Sequence, residues 1–222
     1  MQKSQHAIVT VRSGHVNLTG DLMVPPNHLG LVIFSHGSGS SRNSPRNRFV
    51  AEILQQKRFA TFLVDLLTEE EDRLEKNRFD ISLLTSRLTE VIQYFISTHE
   101  QRFDRIGLFG ASTGAASALR AAAAVGQQVF AVVSRGGRPD LAWQVLEKLQ
   151  CPVLLIVGGA DLQVLNLNKR ALMLLHGEKR LHVVPEATHL FEEPGALEAV
   201  ANVAADWFFD HVHQYQLYEV SK

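Results

Sequence analysis

The sequence predicts an α/β protein with a mostly parallel sheet and helices on both faces, on three observations. Nearly continuous apolar runs of strand length recur along the chain, as expected of strands covered on both sides. Amphipathic stretches of helical period separate them. The run Ile106–Phe109 feeds directly into Gly110-Ala111-Ser112-Thr113-Gly114 and then an alanine-rich segment, the form of a strand turning sharply into a helix.

The elements follow in order. Residues 6–11 and 15–23 alternate apolar and polar positions around Gly14 and lead to Pro25-Pro26, which predicts an antiparallel hairpin. Residues 29–35 form the first buried strand, ending in His36-Gly37-Ser38-Gly39-Ser40-Ser41-Arg42. A helix follows with Pro45 near its start and Phe49, Val50, Ile53 and Leu54 on one face. Residues 60–66 are a further strand, and the acidic stretch Thr68–Arg73 reads as a solvated loop. Residues 80–99 carry Ile81, Leu84, Leu88, Val91, Ile92 and Phe95 at helical spacing, with Asp80 placed as cap. After the strand and helix around Ser112 come strands at 129–134, 152–157 and 180–184. Helices are predicted before Leu149, over 167–176 and over 197–212. The last places Trp207 and Phe208 inward.

Composition narrows the function. The 222 residues have no break rich in Pro, Gly or Ser, which predicts one domain over 1–222. Twenty-two Lys and Arg against 23 Asp and Glu leave a net charge of -1, so there is no general electrostatic attraction to nucleic acid or to an anionic membrane. The single cysteine, Cys151, excludes an internal disulfide framework and is expected to be buried and inert. Met1–His6 lacks the apolar core of a signal peptide and no run reaches transmembrane length. A cytoplasmic protein is the expectation, with no metal and no cofactor implied. His211 and His213 are too sparse for a metal site, and His176, His182, His211 and His213 fall where solvated faces are expected.

In an open α/β sheet ligands bind outside the carboxyl ends of the strands. Ser112, Asp161 and His189 each follow a strand, in that chain order. This is the order of an α/β-hydrolase after a Gly-x-Ser-x-Gly elbow, and the sequence resembles that superfamily over essentially its whole length. The pieces that carry the resemblance are His36-Gly37, Gly110-Ala111-Ser112-Thr113-Gly114, Gly158-Gly159-Ala160-Asp161 and Ala187-Thr188-His189. It looks most like the dienelactone-hydrolase-like group, in an eight-stranded form without a large cap domain. One departure is that dienelactone hydrolases proper carry a cysteine nucleophile, so dienelactone as substrate does not carry over to Ser112.

The chemistry these residue types suit is acyl transfer. Ser112 is the candidate nucleophile, His189 its base, and Asp161 the carboxylate that fixes the imidazole tautomer. Asp140 and Glu186 are alternative acids, and Asp161 could instead cap a helix. The elbow geometry makes the Thr113 N–H one oxyanion donor. The resemblance places the second at Ser38, and His36 is expected to buttress that loop. Arg42, Arg135 and Arg138 lie on strand-end loops; they read either as solvated arginines or as a site for an anionic substrate group. The small-molecule acyl substrate implied is an ester, thioester or lactone. A catalytically silent or partner-dependent protein is the alternative, since related domains can work beside another enzyme domain, phosphoribosyltransferases among them. A nucleotide-binding oxidoreductase is more remote: Gly37-Ser38-Gly39 meets Arg42 where a third glycine belongs, and the Ser112 turn lies mid-chain.

Overall fold

In the computed structural model, residues 3–99 and 103–219 are described; Met1 and Gln2, part of the stretch read above for a signal peptide, lie outside them. Strands β1 (Gln5–Ser13) and β2 (Val16–Val24) pair antiparallel, from Gln5 opposite Val24 to Ser13 opposite Val16, about a turn in which Gly14 has φ +56°. Strand β2 then pairs antiparallel with β4 (Ala60–Val64). From there the sheet is parallel: β3 (Leu31–Ser35), β5 (Ile106–Ala111), β6 (Val129–Arg135), β7 (Val153–Gly158) and β8 (Lys179–Val184). The eight strands run in the order β1-β2-β4-β3-β5-β6-β7-β8. The predicted fold class therefore holds.

Successive residues of a strand point to opposite faces, and here both faces are apolar. Leu31, Ile33 and Leu108 enter one core; Val32, Phe34 and Phe109 enter the other. Helices α1 (Pro45–Gln56) and α8 (Ala196–Glu219) cover the second core. The first is covered by α4 (Ile81–Gln93), α5 (Thr113–Val125) and the short α6 (Trp143–Leu146). Helix α7 (Leu162–Leu174) packs on the same side of β7. No helix among the described residues is long and apolar enough to cross a membrane.

Several boundaries differ from the expectation, each for a local reason. Helix α7 begins at Leu162 because the Asp161 side chain accepts the N–H of Val164 and supplies a start five residues before the one predicted. The helix predicted to reach Leu149 is a 3₁₀ turn (Pro139–Ala142) followed by α6. Asp80 caps α4 as predicted, accepting from Leu83 N at 3.0 Å, but the last turn, Tyr94–Thr98, is π-helical. His211 is not solvated. It is 3% exposed, with its ring centroid 4.1 Å from that of Trp207 and Nε2 3.0 Å from Glu178, because it lies one helical turn from Trp207 on the inward face of α8. His182 is half-buried, and burial together with Arg180 lowers its pKa; His176 and His213 are exposed.

The acidic stretch Thr68–Arg73 is the largest correction. It is not simply a solvated loop, because Thr68 and Glu71 form a capping box that starts the one-turn helix α2 (Glu69–Asp72). Arg87, on α4 and only 5% exposed, donates to Glu71 Oε2 at 2.7 Å and to the Leu66 carbonyl at 2.8 Å. A buried guanidinium needs such a partner. These bonds hold the Glu71 carboxyl down at about 2 from its ordinary 4.5. The folded pKa lies below the unfolded one, so the stabilisation is complete above pH 4.5 and drains away as pH falls towards 2. Glu71→Gln is expected to cost roughly 2–4 kcal/mol at neutral pH, discounted from a fully buried pair because Glu71 is partly exposed. Denaturant titration at pH 7 and pH 3 should show the deficit shrinking at the lower pH.

Candidate active site

Ser112 joins β5 to α5 at φ 52° and ψ -120°. A residue with a side chain rarely holds this conformation, and such strain persists only where the surroundings enforce it. The enforcing groups are specific. Ser112 N donates to the Arg135 carbonyl at 3.0 Å, and the Ser112 carbonyl accepts from Ala115 N at 3.1 Å and Arg138 N at 3.2 Å. Gly110 and Gly114 let the elbow close, since a Cβ on the first would overlap Ala115 and on the second the carbonyls of Ser35 and His36. The result is a hydroxyl standing at the carboxyl edge of the sheet.

His189 reaches that hydroxyl from the loop after β8. Its Nε2 lies 3.2 Å from Ser112 Oγ, and its Nδ1 lies 2.7 Å from Asp161 Oδ2. Glu186 at φ 60° and Phe191 at φ 56° bracket it in the same unfavourable region, so the His189 loop is also held in a set shape. Asp161, after β7, divides its oxygens: Oδ2 meets His189 while Oδ1 caps α7 through Val164 N. One carboxylate thus both caps the helix and meets the imidazole. Of the alternative acids, Asp140 is taken up by two bonds from Arg138, at 2.8 and 2.7 Å, and Glu186 is exposed. With Asp161 on Nδ1, the imidazole carries its proton there and leaves Nε2 free to accept.

The loop after β3 passes beside Ser112, close enough that a Cβ on Gly37 would sit 3.1 Å from that of Ser112. His36 holds it. Its Nδ1 donates to the Gly37 carbonyl at 3.0 Å while Nε2 accepts from Leu66 N at 3.4 Å, which sets the Nδ1–H tautomer. Leu66 is the residue whose carbonyl Arg87 holds, so the Glu71–Arg87 pair stands behind this loop. The Thr113 N–H lies in the first turn of α5, where backbone donors have no intrahelical acceptor. The Ser38 N–H donates to Thr113 Oγ1 at 2.9 Å.

The three arginines separate sharply. Arg42 is bound by Asp65, through its backbone N–H at 2.7 Å and Nη1 at 3.5 Å, with Asp21 3.8 Å from Nε. Arg138 forms its two-pronged pair with Asp140, which raises its pKa. Both are neutralised from within. Arg135 is not solvated: it is 8% exposed, lies 6.0 Å over the Phe191 ring and, among the described residues, pairs with no carboxylate and donates only to Asn47 Oδ1, at 3.4 Å. Its Nε has no hydrogen-bond partner among the described residues, and burial, with the Arg46 charge nearby, lowers its pKa to about 10. Asn47, in the first turn of α1, escaped the sequence reading because an asparagine near a helix start has no feature that marks it as facing a site.

A serine at a strained strand-to-helix turn, bonded through a histidine to an aspartate on later strand ends of an open parallel sheet, places this molecule among the α/β-hydrolase folds. Comparison with known proteins is more specific. Residues 25–215 match the model of the dienelactone hydrolase family, and the chain belongs to that family. The crystal structure of a dienelactone hydrolase from Anabaena variabilis is 51% identical and superimposes with a TM-score of 0.90, covering 95% of this chain and 99% of that one. Est1E from Butyrivibrio proteoclasticus shares the fold at 16% identity, with a TM-score of 0.80 over 93% of this chain and 99% of its own. Two Mycobacterium tuberculosis proteins, each described as "Putative phosphoribosyl transferase", are 55% identical over 92% of this chain. The chain spans about half the length of these relatives, 46%.

Proposed function

We propose that this protein is a serine hydrolase that cleaves a small carboxylic ester, thioester or lactone through an acyl-enzyme intermediate. The observation that carries this is the continuous hydrogen-bonded line from Ser112 Oγ through His189 to Asp161 Oδ2, and membership of the dienelactone hydrolase family supports an ester hydrolase. In the first half-reaction Ser112 Oγ bonds to the carbonyl carbon as its proton passes to His189 Nε2. Asp161 stabilises the imidazolium. The tetrahedral oxyanion collapses, the C–O or C–S bond to the leaving group breaks, and the His189 proton leaves with it. Water then repeats the sequence on the acyl-enzyme and frees the acid. Nothing in these steps calls for a metal or a cofactor. The experiment is a pre-steady-state assay with an activated ester: a burst of alcohol stoichiometric with enzyme is expected, and its persistence in Ser112→Ala would overturn the assignment.

Arg135 supports a preference for substrates with an anionic group. A buried cation without a counter-charge is costly, and this one belongs to the strand end that anchors Ser112. Arg42 and Arg138, engaged by carboxylates, are left as structural ion pairs in this reading. Arg135→Met is expected to raise KM for an anionic ester on the order of tenfold or more, the usual scale for a charged hydrogen bond, and to leave a neutral ester little affected. Its melting temperature should hold or rise, because a buried unpaired charge is removed. Equal effects on both esters would remove the anionic preference.

The 55% identical relatives carry a second reading, in which the domain works beside a phosphoribosyl transferase. They are about twice the length of this chain, and their description names that activity. Full turnover by the present chain alone would argue against any dependence on such a partner. The connection from β6 to β7, where a cap domain would be inserted, holds only the 3₁₀ turn and α6. An open site for small soluble substrates follows, in a protein we place in the cytoplasm.

A further inference from the structure

An oxyanion hole of two backbone donors would leave the Ser38 N–H aimed at the substrate oxygen. Instead it is committed to the side chain of Thr113, at 2.9 Å. Thr113 is 3% exposed, follows Ser112 directly and opens α5, so its hydroxyl and its N–H belong to the same first helical residue, next to the Ser112 side chain. Among the described residues its Oγ1 accepts the Ser38 bond and donates to no protein group. The hydroxyl proton is therefore free to turn.

Resting on the serine-hydrolase reading above, we propose that Thr113 supplies two donors to the oxyanion, its N–H and its hydroxyl, and that Ser38 acts through that hydroxyl rather than on the oxyanion itself. A hydroxyl that accepts a hydrogen bond becomes a stronger donor, since the two bonds polarise each other. The Ser38 N–H keeps its partner at every stage. The hydroxyl bond strengthens as negative charge develops, and an interaction stronger in the transition state than in the ground state raises kcat. The loop after β3 is held for this purpose by His36, through Gly37 O and Leu66 N. Thr113 thus becomes a catalytic residue and Ser38 a positioning one.

The test compares wild type with Thr113→Val, Thr113→Ser and Thr113→Ala on an activated neutral ester. A trifluoromethyl ketone serves as the oxyanion-forming inhibitor, and the product carboxylic acid as a ground-state ligand. Thr113→Val is expected to lose kcat on the order of a hundredfold, the scale of one oxyanion donor. Trifluoromethyl ketone affinity should fall in parallel, while KM and product binding barely change. Thr113→Ser keeps the hydroxyl and should stay near wild type. If Thr113→Val does not fold, Thr113→Ala carries the same expectation. A Thr113→Val enzyme as fast as wild type, or faster because the Ser38 N–H is released to the substrate, overturns the proposal. So does a loss of product binding as large as the loss of inhibitor binding, which would show that the hydroxyl only holds the loop. Ser112→Ala in the same assay separates the two ideas: its inactivity beside an active Thr113→Val sinks the hydroxyl donor alone, and its activity sinks the hydrolase reading.

Discussion

Ser112→Ala is expected to lower kcat on an activated ester by on the order of a millionfold, the scale seen when a nucleophile is removed from a triad. The loss is large because nothing adjacent can substitute. The other hydroxyl at the elbow, that of Thr113, is engaged by Ser38 rather than by the imidazole. Some acceleration over water should survive, since the donors and the binding surface remain. The fold should survive too, because the bonds that hold the elbow run through the Ser112 backbone, to Arg135 O, Ala115 N and Arg138 N, and not through its side chain. Stopped-flow measurement of released alcohol with a thermal melt on the same sample checks both halves. A correctly folded variant that still shows the burst would mean that the line of contacts is not the reacting one.

Asp161→Asn is expected to lower kcat by roughly 10⁴-fold with little loss of stability. Asp161 serves two partners, and the substitution affects them unequally. The amide oxygen can go on accepting from Val164 N, so α7 keeps its cap. The amide nitrogen then faces His189 Nδ1 and can only donate, which forces the imidazole proton onto Nε2. A protonated Nε2 cannot take the proton of Ser112 Oγ across the 3.2 Å between them. Activity and melting temperature should therefore separate. A variant of normal activity would pass the acid role elsewhere; Glu186 is then the candidate, as Asp140 is occupied by Arg138.

Much of this architecture was legible in the chain because it depends on local pattern. Buried parallel strands read as apolar runs, and these runs mark β3 to β7 to within a few residues of where they lie. The strand-end positions of Ser112, Asp161 and His189 came with them, since connection order dictates which loops share an edge. Roles that depend on which side chain meets which partner were not legible. The charge run at Thr68–Arg73 reads as solvated because its counter-charge, Arg87, lies on another helix. His211 reads as solvated because a histidine amid polar neighbours does not disclose that Trp207 and Glu178 enclose it.

The sequence by itself determined the α/β class, the hairpin before the parallel strands and the elbow at Ser112, because period, turn residues and chain order are short-range properties. Tertiary structure alone decided the chemistry of individual groups. It joined Asp161 to both α7 and His189, turned the Ser38 N–H onto Thr113, and neutralised Arg42 and Arg138 while leaving Arg135 buried with its Nε unpartnered among the described residues. The reason is physical: hydrogen bonding and desolvation act over a few ångströms, between residues that in these cases stand up to 75 positions apart in the chain.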